Sequence, residues 1–138
     1  FADSDWGGRR GSRKSTSGRC VMIGRHCIKT WATTQGAVAL SSAEAEFYAM
    51  IEATIRAKGL LSTMEEMGYP ASGVMKLYTD SSAAKSFVSR RGIGKMRHLE
   101  IRHLWLQREV GLGNVVVIKI EGSKNPADLM TKYLKSKE

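Results

Sequence analysis

The sequence predicts an α/β domain, one sheet with helices on its faces, on three observations. Three strand-like runs, at 1–6, 18–23 and 26–32, precede a long helical pattern. Two more β-prone runs, at 74–79 and 115–120, are separated by shorter helical segments, and glycine, proline and asparagine stand at the joints. With 138 residues, 42% of them apolar, the chain fits a single domain with a real core over residues 1–138.

Each element follows from local chemistry. In 1–6, Asp3 and Asp5 share a face because strand side chains alternate, and Gly7-Gly8 ends the strand. Polar residues 9–17 make a loop, and Gly24-Arg25 turns a hairpin between the next two runs. A short apolar piece, 37–40, leads to Ser41, an N-cap with Glu44 three residues on. The helix it starts is expected to reach about Met67, where Gly68 and Pro70 stop it, with a kink beyond Gly59. Asp80 ends the fourth strand before Ser81-Ser82 and a short helix to about Ser89. Residues 90–98 read as an exposed basic connection, and Leu99, Arg102, His103, Leu106 and Val110 mark a helix by spacing. The run 115–120 is the most β-branched in the chain, and Asn125-Pro126 opens a last helix as N-cap and first helical residue.

Bulk properties narrow the function. No apolar run approaches the roughly 20 residues of a membrane span, and the first residues are no charged-then-apolar leader, so neither membrane nor export is expected. The chain opens directly on a strand, as a domain cut from a longer polypeptide would. Cys20 and Cys27 lack metal-ligand spacing and read as reduced core thiols. The net charge of +9 points to a polyanionic partner, with a solvated basic face or a lipid surface as the alternatives. Its distribution favours nucleic acid. No acid occurs from Trp6 through Ala43, a span holding Arg9, Arg10, Arg13, Lys14, Arg19, Arg25 and Lys29; a second acid-free span, 81–99, holds Lys85, Arg90, Arg91, Lys95 and Arg97.

Four acids fall at element ends: Asp3, Glu46, Asp80 and Asp128. Glu44 and Glu46 point to roughly opposite sides of their helix, about 200° apart, and the cap already explains Glu44. Glu46 heads the row Ala49, Met50, Ala53, Ala57, Leu60 and Met64, so it requires a partner: a basic side chain, a metal, or solvent at the sheet edge. A carboxylate cluster without Cys or His ligands selects hard ions, Mg²⁺ or Mn²⁺, and two such ions suit phosphodiester hydrolysis. Each acid also has a structural reading: Asp80 as a helix cap, Asp128 as a first-turn acid, Asp3 as a strand-end acid.

The runs Phe1-Ala2-Asp3-Ser4-Asp5-Trp6, Arg13-Lys14-Ser15-Thr16-Ser17-Gly18, Ala39-Leu40-Ser41-Ser42-Ala43-Glu44-Ala45-Glu46-Phe47-Tyr48-Ala49, Tyr78-Thr79-Asp80-Ser81-Ser82 and Asn125-Pro126-Ala127-Asp128-Leu129-Met130-Thr131-Lys132 resemble the ribonuclease H domain of copia-type (LTR) retrotransposon polyproteins. The resemblance covers nearly the whole chain. It implies a five-stranded mixed sheet in order 3-2-1-4-5 with helices on both faces. It also implies hydrolysis of the RNA strand of RNA/DNA hybrids with two Mg²⁺ (or Mn²⁺) ions held by Asp3, Glu46, Asp80 and Asp128. Arg9, Arg10, Arg13, Lys14, Arg90, Arg91, Lys95 and Arg97 become the candidate nucleic-acid contacts. The expected partners are the hybrid and the reverse transcriptase region of the same polyprotein; the expected place is a cytoplasmic, virus-like particle. A non-catalytic binding module and a DNA-acting nuclease of the same fold are the alternatives. One departure from the family stands at 121–124, Glu-Gly-Ser-Lys, where many cellular members carry a histidine.

Overall fold

The computed structural model describes residues 1–69, 73–92, 94, 98–99 and 101–132, with only the backbone at 101–102. Three strands, β1 (Ala2–Asp5), β2 (Thr16–Ile23) and β3 (His26–Thr34), form an antiparallel sheet in the order β1-β2-β3. Asp3 stands opposite Gly18, and Ser17 opposite Thr33. The hairpin turns at Gly24, whose φ of +58° is open to glycine without strain. Helix α1 (Ser42–Glu66) follows, then β4 (Met75–Thr79), α2 (Ser82–Val88), α3 (Trp105–Gly111) and β5 (Val115–Lys119), with β4 and β5 paired in parallel.

The mixed α/β character is as the sequence pattern predicts. β1 and β4 approach one another, with the Phe1 ring stacked on Tyr78 at 4.6 Å, yet among the described residues no ladder joins the two sheets. Ala2, Phe47, Met50, Leu77, Phe87, Val88, Leu106, Val115 and Val117 belong to the core that holds α1 against both sheets. Phe47 meets Phe87 edge to face at 4.7 Å, a geometry that aromatic quadrupoles favour.

Local differences from expectation have physical causes. α1 runs unbroken through Gly59, because an exposed glycine lowers helix propensity without blocking a hydrogen bond. Its apolar row is buried through Ala53 but only half-buried from Ala57 on. The segment from Leu99 begins as a 3₁₀ turn at Ile101–Leu104, and the expected last helix is a 3₁₀ turn at Pro126–Met130. Cys20 is buried but Cys27 is exposed, at the rim of the sheet, with their sulfurs 3.5 Å apart and both thiols free. Arg19 is buried beneath Thr33 and Glu52, which removes it from the basic surface.

Candidate metal centre

Three of the four acids converge. Carboxylate oxygens of Asp3, Glu46 and Asp80 all lie within 4.8 Å of one another, the group among the described residues that could hold a metal ion. Asp3 and Glu46 are buried, Asp80 half-buried. β1 delivers Asp3, the second turn of α1 delivers Glu46, and Asp80 follows the last residue of β4. The parallel β4–β5 pair places Asp80 where a strand ends and a helix begins, the place where α/β sheets collect functional groups.

The surroundings fix one oxygen of Glu46 and one of Asp3. Ser4 donates twice to Glu46 Oε1, from its backbone N–H at 2.9 Å and its hydroxyl at 3.0 Å, whereas the buried Oε2 has no hydrogen-bond partner. The Thr131 hydroxyl donates to Asp3 Oδ2. Ser81, not Asp80, caps α2 by accepting from Ala84 N–H, which leaves Asp80 without a structural duty. Burial and the neighbouring Asp3 and Asp80 charges push the Glu46 carboxyl up to about 8, against the donors from Ser4. Burial lifts Asp3 to about 6, helped by Asp80 and Asp128 and opposed by Thr131. Crowded, desolvated acids with an orphaned oxygen match a divalent cation as the missing partner.

Asp128 stands at the edge of this group. Its carboxylate is paired with the exposed Lys132, but it is near enough to act on Asp3. Gly18 makes that nearness possible: a Cβ there would meet Ala127 O at 2.5 Å and Met130 Cβ at 2.9 Å, so only glycine lets the Pro126–Met130 turn lie on β2. Asn125 anchors the same turn, donating to Ala2 O at 2.9 Å and capping Ala127 N–H.

Glu44 lies on the other side of α1, as the helical angle requires, and its role is larger than a cap. Ser41 accepts from Glu44 N–H, while Glu44 accepts from Leu40 N–H rather than from the Ser41 amide. It also takes the Tyr48 hydroxyl at 2.8 Å and His98 Nε2 at 2.8 Å. The sequence placed His98 at the surface; the structure uses it to tie the connection after α2 to the first turn of α1. Ser4, Thr131 and Lys132 were missed as site residues, although Thr131 and Lys132 sit one helical turn beyond Asp128, a spacing that signals contact.

Among the basic candidates, Arg9, Arg10, Arg13, Arg90 and Arg91 are exposed and Lys14 is half-buried. Arg9 donates to Thr34 Oγ1, which ties the loop after β1 to the end of β3. Arg90 lies over the Phe87 ring at 4.7 Å. Lys95 and Arg97 fall outside the described residues. No helix among the described residues is long and apolar enough to cross a membrane.

Comparison with known proteins gives relatives over almost the whole chain. It is 29% identical over 136 residues, 97% of its length, to the retrovirus-related Pol polyprotein from transposon TNT 1-94 of Nicotiana tabacum. It is 26% identical over 135 residues to the corresponding polyprotein from transposon RE1 of Arabidopsis thaliana. The chain spans about a tenth of the length of these relatives, 10% and 9% respectively. A shorter similarity, 43% over 54 residues, covers 39% of the chain and 38% of secreted RxLR effector protein 161 of Plasmopara viticola. No family model and no solved structure matches. A retrotransposon Pol region is thus what this chain is similar to.

Proposed function

We propose that this domain hydrolyses the RNA strand of RNA/DNA hybrids in a metal-dependent ribonuclease H reaction, within a copia-type Pol polyprotein. The observation that carries the reading is the convergence of Asp3, Glu46 and Asp80 within 4.8 Å, with no histidine or cysteine among them. An all-oxygen donor set of this kind fits Mg²⁺ or Mn²⁺. The similarity to plant Pol polyproteins supports a retrotransposon setting, and the resemblance of the acid-bearing runs to ribonuclease H domains supports the reaction.

Asp3, Glu46 and Asp80 would hold the cations, with Glu46 Oε2 free to face them because Ser4 occupies Oε1. When bound, two such ions polarise a scissile phosphate and raise the acidity of the attacking water. The protein's own work is to orient the acids and to limit how far burial raises them. Ser4 and Thr131 stabilise the charged forms by hydrogen bonding, against the desolvation that raises both acids. Asp128 enters as the fourth acid: it acts on Asp3 already, and its partner Lys132 is solvent-exposed and readily exchanged. Three carboxylates suffice for one cation, so the second of the expected pair depends on Asp128 and on the substrate.

Arg9, Arg10, Arg13 and Lys14, on the loop after the strand bearing Asp3, contact phosphates in this reading, as do Arg90, Arg91, Lys95 and Arg97 in the connection after α2. Selection of a hybrid rests on 2′-hydroxyl contacts to one strand. The test is cleavage of an end-labelled RNA/DNA hybrid beside RNA/RNA and DNA/DNA duplexes, with Mg²⁺ and with chelator. RNA-strand cleavage only in the hybrid and only with metal supports the reading; metal-independent or DNA-duplex cleavage contradicts it.

A further inference from the structure

Three sulfur atoms meet on the β2–β3 hairpin. Cys20 Sγ lies 3.5 Å from Cys27 Sγ and 3.6 Å from Met22 Sδ, and the chain's two cysteines are both in this group. An irregularity in the ladder brings them together. Val21 stands opposite Lys29, so a regular register would set Met22 against Ile28; the shift between Val21 and Met22 sets it against Cys27 instead, leaving Ile28 as the extra residue of a bulge. Cys20 and Met22, two apart on β2, share a face of the sheet, and Cys27, opposite Met22, shares it too. Cys20 is buried, Met22 half-buried and Cys27 exposed, so the group has a protein side and an open side.

We propose that Cys20, Met22 and Cys27 form a binding site for a soft monovalent cation, Cu(I), held by two thiolates and one thioether. Thiolate and thioether together select Cu(I) over hard ions, and over Zn²⁺, which takes four thiolate, imidazole or carboxylate donors. The spacing around Cys20 fits one ion: a metal about 2.3 Å from each sulfur at trigonal angles sets the sulfurs about 4 Å apart, within about half an ångström of where they stand. A direct disulfide fits the register less well. Cys20 stands opposite Thr30, so the cysteines are diagonal across the bulge, and diagonal partners are about 7–8 Å apart where a disulfide spans about 4.4–6.8 Å between Cα atoms. Binding breaks two S–H bonds, forms three metal–sulfur bonds and releases two protons to solvent, with no change in oxidation state. The exposed Cys27 gives the ion its way in, and the bound ion ties β2 to β3 at the bulge. The proposal does not rest on nuclease activity.

An anaerobic titration of the reduced domain with Cu(I) buffered by bicinchoninate tests it, followed by thiolate-to-copper charge-transfer absorption and by thermal melting. The parent should take one Cu(I) per chain in competition with the chelator and melt higher when loaded. Met22→Leu nearly conserves side-chain volume and should bind about tenfold more weakly, and Cys27→Ser, at an exposed position, about a hundredfold more weakly. Both variants keep the buried Cys20, and circular dichroism of the unloaded proteins should match the parent. A parent that fails to compete for Cu(I), or that shares one ion between two chains, overturns the proposal. Equal affinity in Met22→Leu overturns the three-sulfur set, and tighter binding of Zn²⁺ than of Cu(I) overturns the choice of a soft ion. A parent that takes no Cu(I) but closes a Cys20–Cys27 disulfide under mild peroxide assigns the pair to redox chemistry instead.

Discussion

Glu46 is the residue on which the site turns. Its pKa, about 8 against an ordinary 4.5, means that protonated Glu46 stabilises the fold below about pH 4.5, a contribution lost as pH rises through 8. Asp3, at about 6 against 3.8, acts in the same sense over a lower window. In metal-free buffer the melting temperature should therefore fall between pH 5 and pH 8, and Glu46→Gln should remove much of that slope. Mg²⁺ at pH 8 should restore stability by binding only the folded cluster. A melting temperature flat with pH and indifferent to Mg²⁺ would mean that the acids are neither buried nor crowded together as described. Helix geometry alone separates Glu46 from Glu44 in the sequence, since two residues so spaced cannot share a face. The donors Ser4 and Thr131 were not legible in that way: a serine beside an aspartate carries no periodic signal, and Thr131 reaches Asp3 only through a fold that brings residues 128 positions apart together.

Among the elements, the close approach of β2 to the 3₁₀ turn at Pro126–Met130 sets the fourth acid. Gly18→Ala would drive a methyl into the Ala127 carbonyl, destabilising the domain by about 1–3 kcal/mol and moving the turn that carries Asp128. Thermal unfolding should show the destabilisation, and hybrid cleavage should fall further than the unfolded fraction explains; unchanged stability and cleavage would mean that the turn packs elsewhere. The succession of five strands and three α-helices along the chain follows from periodicity, because α1 keeps its apolar row and β5 its branched residues, whereas the sheet order comes only from the resemblance. Helix type at the two 3₁₀ turns does not follow from periodicity. An Asn-Pro start marks a helical beginning, but only five residues separate it from Thr131, too few for tertiary packing to extend it into an α-helix. Likewise the half-exposed end of α1 reads in sequence as core, since a periodic row is blind to whether a neighbour covers it.

For the molecule as a whole, the net charge of +9 and the exposed Arg9, Arg10, Arg13, Arg90 and Arg91 predict salt-dependent hybrid binding. Substituting Arg90 and Arg91 with serine should flatten the logarithmic salt slope by roughly one unit for each phosphate left without its arginine, with single-turnover cleavage at saturating hybrid little changed. An unchanged slope would return that segment to a solvated surface. Charge was legible because it depends on composition; burial of Arg19 was not, because only the fold decides which arginine faces inward. The most direct measurement compares Glu46→Gln and Glu44→Gln in Mg²⁺-dependent cleavage of the end-labelled hybrid, with folding checked by circular dichroism. Glu46→Gln should stay folded and cease to cleave. Glu44→Gln should be destabilised by about 1–3 kcal/mol through its Tyr48, Leu40 and His98 bonds yet cleave at near the parent rate when folded. Persistent cleavage in folded Glu46→Gln, or its disappearance in folded Glu44→Gln alone, would contradict the assignment of the metal centre to Asp3, Glu46 and Asp80.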